Sequence, residues 1–225
     1  MYLYFMRRTC FIVIFNLLAH SLFSQSAVRN EPRHHNVFEN NYIRILDVFI
    51  PPHDSSQYHV HSTPSVFTTF TKTATGSQLI NGEPVRSVST PGASWYDSLG
   101  TPRIHRVWNE DTSWFHVMDI ELIGGHPHST APVLQYTSLT LLFSEPLVNG
   151  YHVQLKQDTL VELPASGAGY LLLSTGDASV DYRCTDIVQR RQMKAGHYIW
   201  IDAGNSCFIT SRGNSPSHFL LLQMK

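Results

Sequence analysis

From Tyr42 onward the chain is a succession of short runs rich in β-branched and aromatic residues, separated by Gly, Pro, Asn and Asp. No run places apolar residues at i, i+3, i+4 and i+7, the spacing of an amphipathic helix. The runs are Tyr42–Ile50, Ser65–Thr71, Trp114–Leu122, Ser138–Phe143, Tyr151–Leu155, Tyr170–Leu173, Tyr198–Ile201 and His218–Met224. Many short strands separated by turns predict an all-β sandwich or barrel. With 42% hydrophobic and 15% charged residues, the chain can bury a core.

The two halves of the chain resemble each other in the order of these runs. In the first half SVFTTFT is followed, after turns, by the last strand WFHVMDIEL. In the second half GYLLLSTG is followed by HYIWIDAG and by the last strand HFLLLQMK. This order indicates a duplicated domain rather than a short-period repeat. We therefore expect an N-terminal domain over residues 26–123, a linker over 124–132 and a C-terminal domain over 133–225.

The first 25 residues have the order of a secretory signal peptide. Arg7 and Arg8 precede the apolar run Phe11–Leu18, and small and polar residues follow, with a cleavage position near Ser24–Gln25. A membrane-spanning helix needs about 20 apolar residues, and this run is shorter, so no stable membrane anchor is expected. The sequence predicts export to the periplasm or the extracellular space.

Charge and cysteine content narrow the functional classes further. The formal net charge of −1 provides no basic field for nucleic acid. Of three cysteines, Cys10 lies in the predicted signal peptide, which leaves Cys184 and Cys207 in the mature chain. These two could form a disulfide in an oxidising compartment, but their spacing alone leaves the pairing open.

Three histidines form the strongest chemical signal in the chain. In the strand-like segment Tyr58–His61, His59 and His61 are two residues apart, so their side chains lie on one face. His105 follows a turn further along, with Asn109 four residues after it. Neutral imidazole is a common ligand for transition metals.

This arrangement, HxH after a Pro-rich turn and then HxxxN, resembles the two sequence motifs of the cupin superfamily. The resemblance covers roughly residues 42–224 and implies a bicupin, with two tandem double-stranded β-helix (jelly-roll) barrels. The family's metal-binding histidines correspond to His59, His61 and His105. The acidic ligand of the family would fall at Ser65 or Val66, but some cupins hold iron with three histidines alone. The resemblance implies one divalent transition metal, with Fe(II) favoured and Mn, Ni or Zn left open.

The C-terminal half departs further from the same motifs. The place of HxH falls at Pro164–Ser166, which contains no metal ligand. In the second motif Cys207 stands where the histidine belongs, and Ser211 stands where the asparagine belongs. We therefore interpret this half as a cupin barrel that has lost its site.

Several residues near the motifs have plainer interpretations. Asn109 is expected to fix a turn. Arg103 and Arg106 flank His105, and we expect both to face away from it into solvent. His34 and His35 lie in a polar N-terminal segment and are expected to be solvated.

The other histidines and several aromatic residues have both a structural and a functional interpretation. His53 is a turn residue by default and an extra ligand in the alternative, and His116 could face inward near the site. His126 and His128 copy the HxH spacing, but Pro127 and the neighbouring glycines indicate a linker. Three aromatic residues could either wall a pocket or pack in a core: Trp95, Tyr96 and Trp108.

Three classes of function remain open. Three imidazoles leave coordination positions for a ligand, so the resemblance implies a dioxygenase or an isomerase acting on a small, metal-chelating organic molecule. The missing carboxylate removes the most obvious general base and favours oxygen chemistry. The alternatives are a module that binds a small ligand or a sugar without turnover, and a structural cupin without metal. The expected partner is a small molecule, and a homodimer is left open.

Overall fold

The computed structural model of this chain describes residues 26–124 and 131–225. The predicted signal peptide and the pair His126 and His128 therefore lie outside the described residues. Within the described part, no helix has the length and apolar character needed to cross a membrane.

The first half of the chain forms two five-stranded sheets that face each other. One sheet has the order β1-β4-β9-β6-β7 and the other the order β2-β3-β10-β5-β8. A short 3₁₀ helix, Val28–Asn30, follows the first strand. The strands are β1 (Ser26–Ala27), β2 (His34–Glu39), β3 (Ile43–Ile50), β4 (His59–His61), β5 (Ser65–Thr69), β6 (Ala74–Leu79), β7 (Val85–Val88), β8 (Ser94–Asp97), β9 (Arg103–Asn109) and β10 (Phe115–Leu122).

The second half repeats the arrangement with one five-stranded and one four-stranded sheet. Their orders are β11-β12-β19-β14-β17 and β13-β18-β15-β16. The strands are β11 (Leu139–Ser144), β12 (Val148–Leu155), β13 (Leu160–Leu163), β14 (Tyr170–Ser174), β15 (Ala178–Arg183), β16 (Gln189–Met193), β17 (Tyr198–Ile201), β18 (Cys207–Ser211) and β19 (Ser217–Met224). The prediction of an all-β fold with two tandem jelly-roll barrels is confirmed.

The interiors of the two barrels differ. The second barrel is filled by bulky side chains, among which Tyr151, Tyr170 and Phe219 are fully buried. The apolar cluster of the first barrel is smaller and is built from Val28, β3, Phe115 and Val117. The first barrel therefore keeps room for a cavity, whereas buried side chains occupy the interior of the second.

A third apolar cluster lies between the barrels. Residues that alternate with the inward-facing ones on β3 and β10, such as Ile45 and Ile120, pack against Leu171, Leu220 and Leu222 of the second barrel. The strand β19 is buried on both faces, because Phe219 and Leu221 point into their own barrel while Leu220 and Leu222 point at the other. This explains why HFLLLQMK lacks polar alternation.

Cys184 and Cys207 form a disulfide with an S–S distance of 2.05 Å. The sequence left this pairing open. Cys207 begins β18 and is completely buried, and Cys184 packs against the core of the second barrel. The bond thus ties the segment after β15 to β18, where a metal-binding cupin barrel would carry its third histidine.

Candidate metal centre

Two neighbouring strands bring the predicted histidines together. Strand β4 pairs antiparallel with β9, and His59 lies directly opposite His105 in the register. His61 is two residues further along β4, so its side chain points to the same face as that of His59. Both β4 histidines are buried and His105 is half-buried. The pairing of β4 with β9 thus assembles His59, His61 and His105 into one cluster.

The geometry of the cluster fits a metal ion. The Nε2 atom of His61 lies 3.1 Å from Nε2 of His59 and 3.0 Å from Nε2 of His105. Two nitrogen ligands at right angles, each about 2.1 Å from one ion, would lie about 3.0 Å apart. Among the described residues, this trio is the one group of three or more metal-ligating side chains close enough to share an ion.

The protonation state of the trio also suits metal binding. Burial lowers the pKa of His59 to about 4, of His61 to about 2 and of His105 to about 3, and the nearby positive charge of Arg103 adds to each shift. The imidazoles are therefore neutral near pH 7, which is the form that binds metals. His59 Nδ1 donates a hydrogen bond to the Gln57 carbonyl at 2.8 Å, which leaves its Nε2 lone pair for an ion.

A buried carboxyl group that the sequence did not predict lies beside Nδ1 of His61. Asp119 Oδ2 is 3.4 Å from His61 Nδ1, and both side chains are 1% exposed. Burial raises the pKa of Asp119 to about 8. The 3.4 Å distance places Asp119 on the Nδ1 side of His61, where outer-shell partners of metal-binding histidines are found. The signal that could have revealed it is a charged residue on the inward face of the apolar strand β10.

His34 is a second residue whose environment differs from the prediction. It was expected to be solvated, but its side chain is 7% exposed and its Nδ1 lies 2.6 Å from Glu31 Oε2. Its ring centroid is 4.7 Å from that of His59. The prediction was wrong because Glu31, itself buried, provides a hydrogen-bond partner for the imidazole inside the barrel. His34 borders the site but is not one of the three clustered ligands.

The two arginines beside His105 have different environments. Arg103 lines the cavity and pairs with Asp97, so the prediction that it faces away from His105 was wrong. Residues 103 and 105 are alternate positions of β9 and share a face, whereas 106 is on the other. Arg106 contacts Gln78 and the rings of Tyr58 and Trp108, on the opposite side of the strand.

Asn109, His53 and His116 lie outside the cluster. Asn109 Nδ2 donates to the carbonyls of Ile50, Pro51 and Ser113, which confirms its structural role in the turn. His53 is exposed and adopts φ 56° in its turn, which is the default reading. His116 does not face the site, because the outward positions of β10 point toward the second barrel. Its Nε2 lies 2.7 Å from Asp47 Oδ1.

The trio opens onto a cavity of about 680 Å³ inside the first barrel. Its walls are largely apolar, with Val48, Ile50, Phe67, Trp95 and Val117 among the lining side chains. A cavity of this size is typical of small-molecule sites.

Of the three aromatic residues that could have walled a pocket, Trp95 does so. Tyr96 packs against Phe143 of the second barrel, with ring centroids 6.1 Å apart. Trp108 lies over Gly76, where a Cβ atom would come within 2.1 Å of the indole, so glycine is needed there.

Comparison with known proteins agrees with this architecture. Neither a protein-family model nor a curated protein matches the chain. Among solved structures, YhhW from Escherichia coli is similar with a TM-score of 0.61 and 15% identity, over 89% of this chain and 88% of that one. A cupin 2 conserved barrel domain protein from Leptotrichia buccalis gives a TM-score of 0.57 and 9% identity, over 92% and 94%. Salicylate 1,2-dioxygenase from Pseudaminobacter salicylatoxidans gives a TM-score of 0.60 and 9% identity, over 86% of this chain and 76% of that one.

The fold and the histidine cluster together define the structural class of this chain. The chain has the cupin fold in two tandem barrels, with a three-histidine cluster in the first. In this structure the second barrel offers no counterpart among its described residues, because Cys207 is bonded to Cys184 at the position of the third histidine. The resemblance read from the motifs is confirmed for the fold.

Proposed function

We propose that this chain is a metal-dependent enzyme whose first barrel acts on a small organic molecule, with a dioxygenase favoured over an isomerase. One observation carries the proposal: three neutral imidazoles converge on the wall of an apolar cavity. A structural metal site is normally closed by four protein ligands, whereas a catalytic site keeps positions open. A divalent ion held by the trio would supply a Lewis acid and, if it were Fe(II), electrons for dioxygen.

The chain's own residues would prepare the site in three ways. The Gln57 carbonyl fixes the proton of His59 on Nδ1. The Asp119 carboxyl group lies 3.4 Å from Nδ1 of His61, where it would help to orient that ring. The apolar lining would exclude water from the reacting molecule. One structural neighbour is a salicylate dioxygenase, which supports oxygen chemistry on this fold by analogy alone.

Metal analysis of the purified protein tests the proposal. We expect one transition-metal ion per chain, with Fe(II) as the favoured metal, and oxygen consumption when a substrate is supplied. Manganese, nickel and zinc are measured in the same sample. A protein that holds no metal after purification in metal-supplemented medium would contradict the enzyme proposal and leave a ligand-binding or structural role.

We also propose that the mature chain is exported. A disulfide is stable in oxidising compartments, which supports the signal-peptide reading of the first 25 residues. Mass spectrometry of the protein recovered from its native host is expected to show an N-terminus near Gln25. An intact Met1 on the protein recovered from the cytosol would contradict export.

A further inference from the structure

An aromatic wall borders the cavity beside the histidine cluster. Phe67 on β5 lies opposite Trp95 on β8 in the register, and their rings stack with centroids 5.3 Å apart and an angle of 20°. Phe67 also packs edge-on against His61, at 5.8 Å. The indole of Trp95 lines the cavity and is nevertheless 45% exposed. It therefore offers aromatic surface to a ligand that enters the cavity.

One arginine, Arg103, is among the residues that line the cavity. Arg103 is directly opposite His61 in the pairing of β4 with β9, and it shares a face with His105. Its Nη1 donates to Asp97, which is two residues after Trp95 on the same strand. Its Nε is buried and has no acceptor among the described residues. Asp97 uses one of the five donors of the guanidinium group, so Arg103 retains capacity to bind an oxyanion.

We propose that the cavity binds a planar aromatic monocarboxylate, with the carboxylate on Arg103 and the ring against Trp95. As a statement about the substrate, this inference rests on the proposed function. The binding itself requires the cavity and not the metal, so the two can fail separately.

The surrounding charges favour a single negative charge on the ligand. Asp97 already offsets part of the charge of Arg103, and Glu83 also lines the cavity. A dianionic phosphate would meet the carboxyl groups of Asp97, Glu83 and Asp119 for one guanidinium group. A carboxylate matches the planar fork of arginine with one charge, and a flat ring matches the stacked Phe67 and Trp95.

The test compares two probes of one shape. Binding of 2-naphthoate and of uncharged 2-naphthamide is measured by calorimetry, on the full protein as purified and again after removal of metal with a chelator. We expect wild-type protein to bind the carboxylate about tenfold or more tightly than the amide in both states. A hydrogen bond to a charged group stabilises a complex by enough to give an affinity ratio of that size. Equal affinity for the two probes, or binding of neither, would overturn the proposal.

Matched variants locate the preference on the strand. In the metal-free protein, where the carboxylate has no ion to bind, Arg103→Gln is expected to remove the preference for naphthoate and to leave naphthamide binding unchanged. Arg106→Gln, on the opposite face of the same strand, is expected to change neither. Trp95→Ala should weaken both probes about equally, and Trp95→Phe should restore them.

The outcomes separate this inference from the proposed function. If the metal-free protein keeps an Arg103-dependent preference, the inference stands even if no metal is ever found. If metal and oxygen chemistry are established but Arg103→Gln leaves the preference intact in the metal-free protein, the inference is wrong and the proposed function survives. An unchanged melting temperature of the variants excludes misfolding as the cause.

Discussion

His105→Ala is expected to abolish stoichiometric metal binding, and His59→Ala is expected to do the same. In the intact cluster, Nε2 of His61 lies 3.1 Å from Nε2 of His59 and 3.0 Å from Nε2 of His105. Each substitution removes one of these three ligands and leaves two imidazoles. Loss of an outer-shell partner alone costs about 10–100-fold in metal affinity, so loss of a ligand should cost at least that much. The measurement is the metal content of the purified variants, followed by titration against a competing chelator.

Cys207→Ser is the control in the second barrel. It replaces the residue at the corresponding position there, and it breaks the disulfide to Cys184 across 23 residues of chain. A closed loop of that length contributes about 3 kcal/mol to the free energy of unfolding. The variant should therefore unfold more easily in urea and keep its full metal content while folded. If Cys207→Ser lost the metal and His105→Ala retained it, the assignment of the site to the first barrel would be wrong.

Two signals predict the histidine cluster: strand alternation within β4, and the resemblance to the cupin motifs. Strand alternation alone places His59 and His61 on one face, and the HxxxN motif supplies His105. The same alternation, counted correctly, also places Arg103 beside His105. Arg106 is one residue from His105 and Arg103 is two, so the expectation that both face away from His105 holds for Arg106 alone.

The residues that were missed depend on contacts that are distant in sequence. His34 is buried because strand β2 pairs with β3 and because Glu31 lies inside the barrel. Asp119 reaches His61 from β10, a strand of the other sheet. Neither contact has a short-range pattern, since both depend on how the two sheets face each other.

The strands show the same division between local and distant signals. Apolar strands such as Ile43–Ile50 and Phe115–Leu122 were recognised to within one residue at each end. Gln189–Met193 was not recognised, because four of its five residues are exposed and polar. Its position comes from pairing with β15, which composition does not reveal.

The apolar cluster between the barrels predicts that they unfold as one unit. Leu220 and Leu222 of β19 are buried against Ile45 and Ile120 of the first barrel, so neither sheet can lose its partner without exposing apolar surface. A barrel of this size is only marginally stable alone and has open sheet edges. Residues 26–128 expressed alone should therefore be insoluble or poor in metal. A soluble fragment with full metal content would show that the barrels are independent.

A single substitution in the second barrel should then weaken the first. Leu222→Ala is expected to lower the free energy of unfolding by about 2–5 kcal/mol, because it leaves a cavity between the barrels. Metal release, which reports the first barrel, and loss of β-sheet circular dichroism should shift together to lower temperature. Leu160→Ala is the matched control, because Leu160 is 57% exposed on β13 of the same barrel and should change stability by less than about 0.5 kcal/mol. If Leu222→Ala left the temperature of metal release unchanged while the second barrel melted earlier, the two barrels would be independent folding units.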